Sequence, residues 1–103
     1  FKFNILEQNN TSLSQNNVTN IEMSVYPNPA NAITCIPVNC VESFEGQIRL
    51  TDVLGKEVAI IYQGNFENGL NQFFIRANDY AKGIYFVVLD SDHSQIKKRL
   101  FIQ

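Results

Sequence analysis

A serine, a histidine and two aspartates stand together in one short segment and could in principle support hydrolysis or bind a cation. The segment reads Asp90-Ser91-Asp92-His93-Ser94. A nucleophilic triad needs a histidine that a buried carboxylate orients, and a polar turn does not supply one. A Ca²⁺ site needs six or more oxygen ligands, and this spacing matches no calcium loop. We therefore expect a solvated turn, with no catalytic residue, no bound metal and no cofactor.

Two cysteines, Cys35 and Cys40, could form a disulfide bond or bind a metal. In a continuous strand they lie on opposite faces, about 16 Å apart, which is too far for a disulfide. If the segment turns at Pro37 instead, the thiols could meet, and an oxidising compartment would close the bond. Without histidine partners the pair is poor evidence for zinc. The sequence leaves both the strand and the turn open.

Three adjacent cations precede an apolar triplet in the last segment of the sequence. The cations are Lys97, Lys98 and Arg99, and the triplet is Leu100, Phe101 and Ile102. Three of the 8 basic side chains thus lie together, and the rest of the chain has 5 basic against 10 acidic side chains. In a strand neither face of this segment would be cleanly apolar, which is a poor pattern for folding alone. We predict a recognition element, separable from the fold, that a partner reads by strand addition or by charge.

Length and charge exclude several classes of function. A chain of 103 residues with a net charge of −2 forms one small domain and lacks the basic face that duplex DNA or RNA requires. No apolar run approaches the roughly 18 residues that cross a bilayer. We therefore expect no nucleic-acid partner and no direct membrane insertion.

From residue 21 onward the sequence has the two-residue period and the turn spacing of β-structure. The predicted strands are residues 21–25, 33–38, 47–51, 56–62, 70–76, 83–89 and 95–103. Pro37 should place the second strand at a sheet edge or bend it. The sixth strand is apolar on both faces and should be central and covered on both sides. Seven short strands without a helical period predict an all-β, immunoglobulin-like antiparallel sandwich.

Several residues between and within these strands suit structural roles. They are Tyr26, Pro27, Asn28, Pro29, Asp52, Gly55, Gly83 and Tyr85. Two prolines that lack amide donors force a turn after Tyr26, which we expect to lie in the core. Gly55 can take the left-handed conformation of a short hairpin that begins at Asp52. We predict that these positions shape the backbone and do not bind a partner.

The first twenty residues differ in composition from the rest. Residues 7–20 are rich in Asn, Gln, Ser and Thr, so they cannot bury enough surface to offset the entropy of ordering. We expect a flexible linker that a protease can reach. The sequence thus predicts three parts. Residues 1–6 are a stray strand or the end of a preceding region. Residues 7–20 are the linker with a cleavage site, and residues 21–103 are the sandwich.

Four motifs follow one another in the predicted sandwich. They are Val-Tyr-Pro-Asn-Pro-Ala at 25–30, Thr-Asp-Val-Leu-Gly-Lys-Glu-Val at 51–58, Lys-Gly-Ile-Tyr-Phe-Val at 82–87 and Lys-Lys-Arg-Leu-Phe-Ile at 97–102. In this order they resemble the type A sorting domain of the type IX secretion system. The resemblance implies an immunoglobulin-like domain, without activity of its own, that directs a periplasmic cargo across the outer membrane to the cell surface or the medium. It also implies translocon and outer-membrane shuttle proteins as partners, and a sortase-like surface protease that cuts the linker.

A second hypothesis is an immunoglobulin-like adhesion or carbohydrate-binding module. Such a module needs an exposed aromatic platform, and the chain has no tryptophan. Tyr62, Tyr80 and Phe66 are the aromatic residues that we would expect to serve.

Overall fold

Seven antiparallel strands make up most of the chain that the structure describes. The structure is a computed structural model, and it describes residues 20–92 and 94–103. The strands are β1 (Ile21–Met23), β2 (Ile33–Cys40), β3 (Phe44–Thr51), β4 (Glu57–Phe66), β5 (Gly69–Arg76), β6 (Gly83–Ser91) and β7 (Gln95–Ile102). The predicted residues 1–6 and nearly all of the predicted linker lie outside the described residues, so that division stays a prediction.

The strands form two sheets that share one core. A three-stranded sheet has the order β1-β2-β5, and a four-stranded sheet has the order β4-β3-β6-β7. Buried side chains from both sheets belong to a single hydrophobic cluster. At one end of this cluster the ring of Phe66 stacks on Phe44 at 4.5 Å and meets Phe73 edge-on at 5.5 Å. The predicted all-β sandwich is confirmed.

The expectation that Pro37 marks an edge strand or a bend is wrong. β2 runs unbroken between β1 and β5 and is the central strand of its sheet. The carbonyl of Pro37 accepts a hydrogen bond from the Ser24 N–H at 3.1 Å, just beyond the last residue of β1. In an extended residue the nitrogen faces the same side as the carbonyl. The missing N–H of Pro37 therefore lies at the end of the β1 ladder, where its absence costs one bond and leaves the sheet intact.

The continuity of β2 also decides between the two arrangements of the cysteines. Cys40 points into the core, whereas Cys35 is half-buried on the opposite face. The turn at Pro37 that a disulfide would require is absent from this described segment, and both thiols are free. The Cys40 thiol instead donates a hydrogen bond to the Glu67 carbonyl at 3.0 Å.

The sixth strand is internal as expected, but it is not covered on both faces. β6 lies between β3 and β7, and Val87 and Leu89 are buried on its inner face. On the outer face Ile84 is 46% exposed. Val88 is nevertheless buried on this face, where its cross-strand neighbours are Arg49 and Lys97. The aliphatic stems of such long side chains can cover an apolar residue in place of a third layer.

The turn after β3 uses the predicted residues. One carboxylate oxygen of Asp52 accepts hydrogen bonds from the N–H groups of Leu54 and Lys56, both at 2.9 Å. Gly55 has φ +88°, a left-handed conformation that favours glycine. Before β6, the Tyr85 hydroxyl donates a hydrogen bond to the Ala81 carbonyl and ties the strand to the turn that precedes it.

Candidate recognition site

The predicted recognition element forms β7, an edge strand of the four-stranded sheet. Lys97, Arg99 and Phe101 pair with outer-face residues of β6, and the alternate side chains point toward the sandwich. Lys97, Lys98 and Arg99 are exposed, and Phe101 is 43% exposed. These four side chains can touch a partner of the folded domain.

The other two residues of the element belong to the core. Leu100 and Ile102 are 0% and 1% exposed. A buried side chain holds the fold together and cannot contact a partner, so the expectation that the whole element is separable from the fold is wrong. The apolar pattern was ambiguous in the sequence because Lys98 interrupts the inner face near its start.

The Tyr-Pro-Asn-Pro motif binds the outer edge of β7. The side-chain amide of Asn28 donates a hydrogen bond to the Arg99 carbonyl at 2.8 Å, and its oxygen accepts one from the Phe101 N–H at 2.9 Å. Ala30 continues the pairing: its N–H donates to the Phe101 carbonyl at 2.8 Å, and its carbonyl accepts from the Gln103 N–H at 2.8 Å. The structure thus joins two motifs that are about 70 residues apart in the sequence.

Asn28 acts in the sheet as a short substitute for a neighbouring strand. A carboxamide offers one donor and one acceptor in the same plane, which is the pair that an extended residue presents to an edge. We call Asn28 and Ala30, with their bonds to β7, the edge clamp. Because of this clamp the second half of the β7 edge is occupied, whereas the first half has no such cover among the described residues.

We predict that the Asn28 side chain stabilises the folded domain through the edge clamp. Asn28→Asp removes the donor to the Arg99 carbonyl and sets a carboxylate oxygen against it. We expect a loss of about 1 kcal/mol in the free energy of unfolding, since the site is solvent-exposed and a typical hydrogen bond is worth that much. Urea unfolding followed by circular dichroism measures it. The same change at the exposed Asn31 is the control, and equal effects at the two positions would contradict the clamp.

Tyr26 and Pro27, the first two residues of the Tyr-Pro-Asn-Pro motif, contact the three-stranded sheet. Tyr26 is 53% exposed, so the prediction that it lies in the core is wrong. Its backbone pairs with Cys35, and its ring follows the half-buried Cys35 to the outer face of the three-stranded sheet. The Pro27 carbonyl accepts a hydrogen bond from the buried Thr34 hydroxyl at 3.2 Å, which anchors the turn to β2.

The tail cations lack carboxylate partners in the part of the chain that the structure describes. The ion pair found there joins Arg49 and Asp90, with Nε and Oδ2 2.6 Å apart. Lys97 instead holds its ammonium 5.4 Å from the centroid of the Phe86 ring, within the range of a cation–π interaction. The positive charge of residues 97–99 is therefore free to meet an acidic partner.

Asp90 is held by its neighbours on β3 and β7. Burial by itself would raise the pKa of Asp90, but hydrogen bonds from Arg49 and Gln95 and the charge of Arg49 outweigh it and hold the pKa below its usual value. The same pairing raises the pKa of Arg49. His93 lies outside the described residues, and those residues hold no group of three side chains that could bind a metal.

The family comparison agrees with the geometry of these motifs. A family model described as a secretion system C-terminal sorting domain matches residues 24–103. The chain belongs to this family. The match begins two residues before Tyr26 and spans the edge clamp and all of β7, so it covers the elements that the structure brings together. None of the curated proteins compared with the chain matches it.

Membership in this family confirms the resemblance to type IX sorting domains and indicates the general function of the domain. The sorting domain carries a type IX secretion signal, interacts with that secretion machinery, and serves a cargo that passes the outer membrane to the cell surface or the medium. The family is not a family of enzymes. Within the described residues, no helix of the sorting domain is long and apolar enough to cross a membrane.

The aromatic residues named for the carbohydrate-binding alternative do not form a platform. Phe66 is fully buried, and Tyr62 and Tyr80 are partly buried against the core. The Tyr62 ring lies 5.2 Å from Phe66 and 4.6 Å from Phe73, inside the aromatic cluster between the sheets. A sugar could not stack on Phe66 without opening the sandwich, so the expectation was wrong for that residue.

Proposed function

We propose that the sorting domain directs a periplasmic cargo across the outer membrane and that the type IX machinery reads it through the exposed half of β7. The observation that carries this proposal is the run of three exposed cations, unpaired with any described carboxylate, on an edge strand. The rest of the chain has an excess of acidic side chains, so these three cations form a local positive patch that attracts an acidic partner.

The partners in this proposal are translocon and outer-membrane shuttle proteins. Opposite charge across an interface raises the rate of encounter and sets the register in which two surfaces meet. Exposed cations contribute little to folding, so they are available for this task at little cost to the domain. Phe101 adds an apolar contact beside Arg99 on the same face.

Release of the cargo completes the proposal. A sortase-like surface protease cuts between the cargo and the sandwich, in residues 7–20. Their polar composition supports this placement, because a protease needs an accessible, extended substrate. The folded unit that is removed then starts near Ile21, where β1 begins.

The experiment uses a fluorescent reporter that carries a periplasmic export signal and is fused to the full chain, in a cell with the type IX machinery. We expect the triple variant Lys97→Ala, Lys98→Ala, Arg99→Ala to lower secretion by about tenfold or more and to leave a folded reporter in the periplasm. Immunoblots of medium, surface and periplasm measure this, and the mass of the released product locates the cut.

A matched variant separates local charge from total charge. Lys56→Ala, Arg76→Ala, Lys82→Ala removes the same number of exposed cations from other parts of the domain and should be secreted normally. Normal secretion of the tail variant would show that its cations are not the signal. A cut within the strands β3 to β6 would refute the proposed boundary.

A further inference from the structure

The first half of the β7 edge presents unused backbone hydrogen-bonding groups. The carbonyl of Arg99 and both groups of Phe101 face outward to the edge clamp. Because backbone direction alternates along a strand, the N–H and carbonyl of Lys97 and the N–H of Arg99 face the same way. None of these three groups has a backbone partner among the described residues. We call residues 95–99 with these groups the open edge.

The charge at the open edge selects what can pair with it. Exposed sheet edges attract other strands, and lysines commonly prevent such pairing. Here Lys97 and Arg99 lie on the outer face beside the open edge and Lys98 lies on the other face, and all three are exposed. A second copy of this strand would therefore meet three like charges. An acidic strand would meet three opposite charges and the free backbone groups together.

We infer that a component of the secretion machinery adds an acidic β-strand to the open edge. The added strand pairs with residues 95–99 and ends at Asn28, which already occupies the next carbonyl. Its alternate side chains face Lys97 and Arg99 on the outer face and Lys98 on the other. This inference rests on the proposed function, and it names how the partner binds: through main-chain hydrogen bonds, with charge setting the choice of strand.

The decisive variants differ in the outward N–H of residue 97 and in the φ angle that the proline ring fixes, and their melting temperatures report any strain from the latter. Lys97→Ala removes the charge and keeps the N–H, whereas Lys97→Pro removes both. Proline is tolerated at this position because the N–H points away from β6, and the preceding Ile96 is already extended. In the reporter assay we expect Lys97→Pro to be secreted at least about tenfold less than Lys97→Ala, with similar melting temperatures for the two domains. Equal secretion of the two variants would overturn strand addition.

A second measurement uses the unmodified full chain, so it does not depend on how a variant folds. The probe is a synthetic hexapeptide with glutamate at alternate positions and threonine or valine between them. We expect it to slow amide hydrogen exchange at Lys97 and Arg99 by about tenfold and to leave Lys98 unchanged, since the Lys98 N–H already faces β6. A peptide with lysine in place of glutamate should have no effect. Absence of protection at Lys97 and Arg99 would also overturn the inference.

Alternative binding partners of the open edge would give different results in these experiments. Protection that rises with protein concentration alone would indicate a second copy and overturn the inference. Vesicles of phosphatidylglycerol and phosphatidylcholine test whether charge alone is recognised. If they bind both residue 97 variants equally and the peptide does not slow amide exchange, the surface binds by charge only, and the inference is overturned. If strand addition fails while the triple alanine variant is still retained, the proposed function survives. If the triple variant is secreted normally, the proposed function fails whatever the peptide does.

Discussion

Removal of residues 100–103 is expected to unfold the sorting domain. The deletion takes Leu100 and Ile102 out of the core, where both are almost fully buried. Each buried leucine or isoleucine stabilises a core by about 2 to 5 kcal/mol, so losing two approaches the 5 to 15 kcal/mol that small domains have in total. The deletion also removes the bonds between β7 and Ala30. Circular dichroism and proton NMR of chains 1–103 and 1–99 measure the result.

Two neighbouring substitutions test the reason for this loss. Leu100→Ala should be strongly destabilising, whereas Phe101→Ala, on the outer face and 43% exposed, should cost much less. If the truncated chain unfolds cooperatively at the original temperature, this part of β7 is not in the core. The expected result has a consequence for secretion assays: a truncated domain that fails to be exported has lost its fold, so only the charge variants report on recognition.

Val87→Asp is expected to have an effect of similar size at the centre of the sandwich. Val87 is 0% exposed on the inner face of β6, opposite Leu50 of β3 and Lys98 of β7. A buried charge without a buried partner costs about 3 to 5 kcal/mol, and Lys98 is exposed and so is not buried with the carboxylate. The variant should therefore be largely degraded and not exported. Thermal unfolding of the purified domain and immunoblots of the periplasm measure both effects.

The control applies the same substitution to an exposed valine. Val58 of β4 is 42% exposed, and Val58→Asp should change stability by about 1 kcal/mol or less. An unchanged melting temperature for Val87→Asp would mean that β6 does not lie where the structure places it. Similar losses for both variants would mean that the introduced carboxylate, and not its burial, is responsible.

Some strand boundaries could not be predicted because glycine has different roles in turns and in strands. Residues 64–69 have the composition of a turn, yet β4 continues through Gly64 to Phe66. At Gly46 in β3 a Cβ atom would clash with the Asp90 carbonyl oxygen, so close approach of the backbone of β6 requires glycine there. The composition around Gly46 does not indicate which strand approaches it, because that depends on sheet order.

The sequence by itself determined the class of fold and the approximate positions of the strands. In β1 the alternation of apolar and polar residues also predicts which side chains point inward, because successive side chains in a strand lie on opposite faces, and Met23 is buried whereas Glu22 is exposed. Asp52 and Gly55 specify their turn through local hydrogen bonds and a left-handed backbone, which require no distant partner. The order of the four motifs was also enough to indicate the family.

Only the tertiary structure decided how the recognition site is built. Pro37 lies in a central strand because β1 ends beside it, and Tyr26 is exposed because its backbone pairs with the outward-facing Cys35. Asn28 closes half of the β7 edge through bonds to Arg99 and Phe101. These outcomes depend on which strands become neighbours, a long-range choice made by burial of the whole core. No local pattern of residue types contains this choice. It decides that Leu100 and Ile102 are buried in the core while the three cations and Phe101 remain exposed.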